Sequence, residues 1–294
     1  MNTTEILNNV EQEVQHVETI KGQLIKAKKI QLHTGLDGWN SPKAYGVYRN
    51  TGGDCLGVVG ESFKPMDLEM YLDSVVQSIY SSGIDVDITK LKYEEYKGGK
   101  KIAFNIPLKK YELNTKMVGD ILETKLMFKT GFDGYTKCSV SYSSLRLWCS
   151  NGAARWNEDR AISFKNTKNN NDRFMLFTDQ IIKASADVDN YVQMLNELTF
   201  INITEADLDK YYLKVFGINR TTYHDQATRR QNTFDKINEA VAIEMQNTGT
   251  NMFSVLQGVT RYLTHEVAEK EEDLLFSSAN KINSLAHSVA FNFN

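Results

Sequence analysis

The chain has 294 residues, three cysteines and a formal net charge of −3, with 41% hydrophobic and 24% charged residues. That is length enough for one large domain or two modest ones without disulfide or metal staples, and no apolar run approaches the ~20 residues of a membrane span. Met1–Val10 is polar and acidic, unlike a secretory leader, and Cys55, Cys138 and Cys149 are odd in number and far apart, so a reducing, cytoplasmic location is expected.

Residues 1–33 carry Ile6, Val10, Val14, Val17, Ile20 and Leu24 at three- and four-residue steps, which predicts one long helix. Asn2, Thr3 and Thr4 supply capping side chains, and the early acids and late lysines suit the helix dipole. Gly35–Pro42 reads as a loop. A hairpin follows, Ala44–Arg49 and Cys55–Gly60 about a Gly52-Gly53 turn. Pro65 opens a helix over 66–81 with Leu68, Leu72, Val75, Val76 and Ile79 on one stripe.

Residues 84–149 read as four strands in two hairpins. Leu91–Tyr96 and Lys101–Pro107 flank the turn Lys97–Lys100, and Ile121–Lys129 and Thr136–Trp148 flank Thr130–Tyr135. Alternation in Ile102, Phe104 and Ile106 gives the sheet one buried face. Helix signals at 150–156 and a short strand at 161–165 precede the polar loop Asn166–Asp172. Helices are then expected at 174–198, 205–216, 226–246, 250–269 and 273–290, their leucine and aromatic stripes being core. The expected fold class is α+β: an antiparallel sheet built from hairpins with packed helices, followed by a helical C-terminal region. Its expected divisions are 1–40 (N-terminal helix and linker), 41–165 (β-rich α+β core) and 166–294 (helical region).

Chemistry-bearing motifs are sparse. No GxxxxGK[ST] loop exists and no GxGxxG opens a helix, so the glycines read as turns. His16, His33, His224, His265 and His287 are scattered, no two at i, i+4, and no CxxC pair is present, so neither metal nor cofactor is expected. Cys149, near a strand-to-helix junction, is the one candidate nucleophile, because a helix N-terminus lowers a thiol pKa; its plainer reading is a small buried residue. No enzyme is expected.

Charge is segregated instead. Between residues 97 and 173 lie fifteen lysines and arginines against seven acids, while Glu266, Glu269, Glu271, Glu272 and Asp273 crowd the C-terminal part. Tyr93, Tyr96, Phe128, Phe132, Tyr135, Tyr142, Trp148 and Trp156 are interleaved with the basic stretch. Cations that track a backbone and rings that stack bases are the ingredients of single-strand binding. The same residues also suit a sheet core rimmed by solubilising lysines, and both readings stay open. The contacts expected for a nucleic acid are Lys97, Lys100, Lys101, Lys129, Lys137, Arg146, Asn151, Arg155, Arg160, Lys165 and Lys168.

Five stretches resemble the phage/plasmid-like family that contains the domain of unknown function 932. They are Tyr45–Arg49 with Leu56–Pro65; Gly98–Ile102; Ser144–Gly152, similar to an arginine–cysteine–asparagine–glycine signature; Ser163–Asn169; and Asn251–His265. In the fourth, Asn166 stands where the family often has histidine, which removes a side chain able to serve as acid or base. The resemblance implies a protein of phage or plasmid genomes, working in the host cytoplasm. More distantly the two-hairpin sheet looks like the core of phage single-strand annealing proteins of the Red-beta, RecT and Erf kind. That likeness implies an ATP-independent homo-oligomer that binds single-stranded DNA, with Arg146 and Asn151 at a phosphate-accepting helix entry. The alternative is an oligomeric phage structural or host-interaction protein without catalytic activity.

Overall fold

The computed structural model describes residues 3–33, 40–116, 120–146, 163–167, 176–267 and 278–293. Its elements are α+β, with antiparallel hairpins first and helices after. They divide into two compact units. The first is Met1–Leu108, Lys125–Ser141 and Glu158–Ser185; the second is Lys109–Thr124, Tyr142–Asn157 and Ala186–Asn294.

The first unit opens with helix α1 (Thr3–Gln23) and a three-stranded sheet in the order β1 (Ala27–His33), β2 (Asn40–Arg49), β3 (Cys55–Val59). Strand β1 corrects the expectation of a helix reaching residue 33. Gly22, a poor helix former, stands one residue before the helix end, and Leu24 and Ile25 are buried beyond it. Ala27–Gln31 then pairs antiparallel with Arg49–Tyr45, so the available partner strand outweighs the helical spacing. Helix α2 (Leu68–Ser82) begins two residues later than Pro65 suggests, because Asp67 is its cap and accepts hydrogen bonds from the Glu69 and Met70 amides.

The second sheet has the order β4 (Lys92–Tyr96), β5 (Lys101–Glu112), β6 (Ile121–Gly131), β7 (Cys138–Arg146), β8 (Ser163–Phe164). The first unit takes β4, β8, the leading part of β5, the trailing part of β6 and the opening of β7. Its core is aromatic: Tyr71 of α2 lies with its ring 5.7 Å from Phe104 and 5.9 Å from Phe177, and Phe177 lies 5.8 Å from Phe164. The buried Tyr71 hydroxyl donates to the Lys129 carbonyl at 3.1 Å, so its polar atom is satisfied. Phe177 comes from the first turn of α3 (Leu176–Leu198), which belongs to the first unit as far as Ser185 and to the second from Ala186.

The second unit is mainly helical: α4 (Glu205–Phe216), α5 (Thr228–Thr248), α6 (Met252–Tyr262) and α7 (Ser278–Phe291). Helix α4 has the predicted boundaries, with Thr204 and Asp207 closing a capping box. Helix α6 is buried on every side from Met252 to Thr260 and passes into a π turn at Leu263–Val267. The buried His287 ring accepts or donates at both nitrogens, to Tyr191 at 3.1 Å and to the Asn283 carbonyl at 2.8 Å, a structural role. Among the described residues no helix is long and apolar enough to cross a membrane.

Candidate nucleic-acid interface

Four loop segments of the first unit converge beside β3. The turn between β4 and β5 runs through Lys97, Gly98 and Gly99, all at positive φ (52°, 68° and 84°). The Lys100 carbonyl then accepts from the Phe132 amide at 2.8 Å, which ties that turn to the loop between β6 and β7. Gly57 of β3 lies so close to Phe132 and Asp133 that no side chain fits between them. The segment after β8 closes the group, because the Lys64 amide donates to the Asn166 carbonyl at 3.0 Å.

Asn166 is the keystone. It is 1% exposed; its side-chain amide donates to the Gly131 carbonyl at 2.7 Å and to the Thr130 hydroxyl at 3.2 Å. The Cys138 thiol lies 2.9 Å from its Oδ1 and 3.1 Å from the Thr130 hydroxyl. Burial pushes that thiol up to about 12, so Cys138 stays protonated and is a packing residue rather than a nucleophile. Asn166→Ala takes the amide donor away from the buried Gly131 carbonyl and Thr130 hydroxyl, and we expect it to lower stability by about 2 kcal/mol, read as a fall in the urea midpoint.

The loop before α2 is held from a third side. The Lys29 ammonium donates to the Glu61 carbonyl at 2.5 Å and the Phe63 carbonyl at 2.8 Å, and lies 4.2 Å from the Tyr45 ring centre. Asp133 organises the loop between β6 and β7: one carboxylate oxygen accepts from the Tyr135 amide (3.0 Å) and the Thr136 amide (2.7 Å), the other from the Thr136 hydroxyl (2.9 Å). Between these loops lies a cleft of about 270 Å³, lined among others by Val59, Ser62, Phe63, Tyr135, Lys165 and Thr167.

Of the expected contacts, Lys97, Lys100, Lys137 and Lys165 stand exposed on or beside these loops. Lys64, which the sequence reading missed, joins them; its only signal is its place in the Leu56–Pro65 stretch. No acid among the described residues pairs with Lys64, Lys100, Lys137 or Lys165. Two residues depart from the expectation. Lys129 is 6% exposed, so it faces the interior of the sheet and presents no surface. Lys101 is mostly covered, its ammonium 4.0 Å from the Asp133 carboxylate, so its charge serves the loop. The side chain of Arg146, and Asn151, Arg155, Arg160 and Lys168 entirely, lie outside the described residues, as does Cys149.

The rings divide sharply. Phe128, Phe132, Tyr96 and Tyr142 are buried, as the core reading requires, and Tyr93 is half-buried. Tyr135 is 88% exposed. Among the described residues no three histidines, cysteines or acids cluster to hold a metal ion.

No curated protein and no solved structure matches the chain, so the distant likeness to annealing proteins gains no support from them. Residues 55–286, from the first residue of β3 to the middle of α7, match the family described as Domain of unknown function (DUF932). Three of the stretches that resemble that family, Leu56–Pro65, Gly98–Ile102 and residues 163–167 of Ser163–Asn169, supply three of the four converging loops, and the chain belongs to the DUF932 family.

Proposed function

We propose that the first unit binds single-stranded DNA along the loops around β3, as part of phage or plasmid DNA metabolism and without a cofactor. The observation that carries this reading is that four separate segments of the chain, bearing the exposed Lys64, Lys100, Lys137 and Lys165, are joined beside β3, and that no acid among the described residues pairs with any of these lysines. A net charge of −3 gives the protein no general affinity for polyanions, so a local cluster is what phosphates would meet. Annealing activity and a homo-oligomer in the host cytoplasm are the extensions of this reading.

The test is fluorescence anisotropy of labelled single- and double-stranded oligonucleotides with the full chain. Four phosphate contacts give a slope of log affinity against log salt of about −3 for a single strand. The double substitution Lys100→Glu/Lys165→Glu is expected to weaken binding more than tenfold and to flatten that slope by about 1.4. Absence of binding at low salt sinks the reading.

One observation favours the alternative of a non-catalytic assembly or host-interaction protein. Leu7, Val10 and Val14 form an apolar stripe on α1 that is exposed at 59%, 50% and 58%. A large assembly in size-exclusion chromatography without DNA, together with no oligonucleotide shift, would select it.

A further inference from the structure

The exposed Tyr135 does not belong to the ordinary economy of a hairpin loop. Its loop is braced: Gly134 takes φ +81°, a conformation that side chains avoid, and Asp133 holds the Tyr135 and Thr136 amides. Yet the largest side chain on this braced loop is 88% exposed, while Phe128 and Phe132 just before it are fully buried. No ring among the described residues packs against it. A ring carried on a braced backbone meets a stacking partner without rearrangement of its loop, which is how preorganised contacts gain affinity.

Tyr135 also lines the cleft of about 270 Å³, slightly below the roughly 300 Å³ at which small-molecule sites begin. Val58, Val59 and Phe63 supply apolar wall, and Ser62, Thr167 and Lys165 supply polar groups at its edges. Apolar wall beside hydroxyls and one ammonium suits a nucleobase with its phosphate. The volume suits one such unit and is too small for a dinucleotide cofactor.

We propose that this cleft seats one nucleotide of the bound strand, its base against the Tyr135 ring and its phosphate on the Lys165 ammonium. The proposal rests on the single-strand reading and gives that surface a stacking residue. Sequence tolerance follows, because every base has a face to stack.

The experiment compares the full chain with Tyr135→Ala and Tyr135→Phe in anisotropy titrations of a labelled oligothymidylate, with thymidine monophosphate as competitor. Tyr135 is exposed, so neither substitution threatens folding. Tyr135→Ala is expected to lose about tenfold in affinity with an unchanged salt slope, since no charge is removed. Tyr135→Phe is expected to stay within about twofold, because stacking uses the ring and not the hydroxyl. Thymidine monophosphate is expected to compete only weakly, as it offers one contact where the strand offers several.

Native affinity in Tyr135→Ala overturns the proposal and leaves the single-strand reading standing, provided the lysine variants still weaken binding. Equal losses in the alanine and phenylalanine variants also overturn it. Competition by the mononucleotide as strong as by the strand replaces it with a free-nucleotide site. No binding by the native chain overturns both.

Discussion

Gly57→Ala is expected to lower stability by about 3 kcal/mol, the upper end of what overpacking usually costs. A Cβ on Gly57 would lie 2.5 Å from the Phe132 carbonyl oxygen and 2.7 Å from the Asp133 Cα. Both are backbone atoms, and neither can swing aside as a side-chain tip would. Phe132 is fully buried, its amide is bonded to the Lys100 carbonyl, and the Asp133 carboxylate accepts from the Thr136 amide and hydroxyl, so the segment is held in place. Relief therefore requires β3 and the loop between β6 and β7 to separate. The urea midpoint should fall at unchanged slope. Gly60→Ala is the internal control: nothing lies within 4 Å of its Cβ and its φ is unexceptional, so it should stay within about 0.5 kcal/mol of the native chain. Equal stability of the two variants would refute the close approach of β3 to that loop. The functional consequence is separable as well. A displaced loop carries Tyr135 and Lys137 with it, so any Gly57→Ala protein that still folds should bind oligonucleotides less tightly than Gly60→Ala.

The hairpins and helices were readable because their signals are local. Gly98 and Gly99 in the turn after β4 take positive φ as a glycine pair predicts, and the helix expected at 205–216 is α4 to the residue. Strand β1 was not readable. Its identity depends on pairing with β2 some fifteen residues on, and its apolar residues continue the helical spacing of α1. The charged stretch gave a direction but not a surface. A lysine count treats every ammonium alike, whereas burial removes Lys129 and the Asp133 carboxylate engages Lys101. The aromatic count failed similarly, since alternation on a strand says which rings share a face and not which face is covered. Tyr135 escapes because it sits past the end of β6, in a loop where alternation no longer applies. Lys64 escaped notice because it lies outside the basic stretch in sequence, and its segment is tied to that of Lys165 by the bond from its amide to the Asn166 carbonyl.

Gly258→Ala should disrupt the second unit by more than about 3 kcal/mol, against the trend of helix propensity. In a helix interior alanine is favoured over glycine by about 1 kcal/mol, so an uncrowded site would gain stability. Gly258 is not uncrowded. It lies in the middle of α6, where an added Cβ would come within 2.4 Å of the Val241 Cα and 2.7 Å of the Val241 backbone nitrogen on α5. The two helices are joined by a short turn, where the Ser254 amide donates to the Asn251 side chain at 3.0 Å and the Thr248 and Ser254 hydroxyls lie 2.7 Å apart. That turn leaves α6 little room to slide along α5. Nor can α6 back away, since it is buried on every side from Met252 to Thr260. The sign of the change is thus the measurement. A lowered thermal midpoint means the glycine permits backbone contact between α5 and α6, and a raised one would show that the helices stand further apart than described.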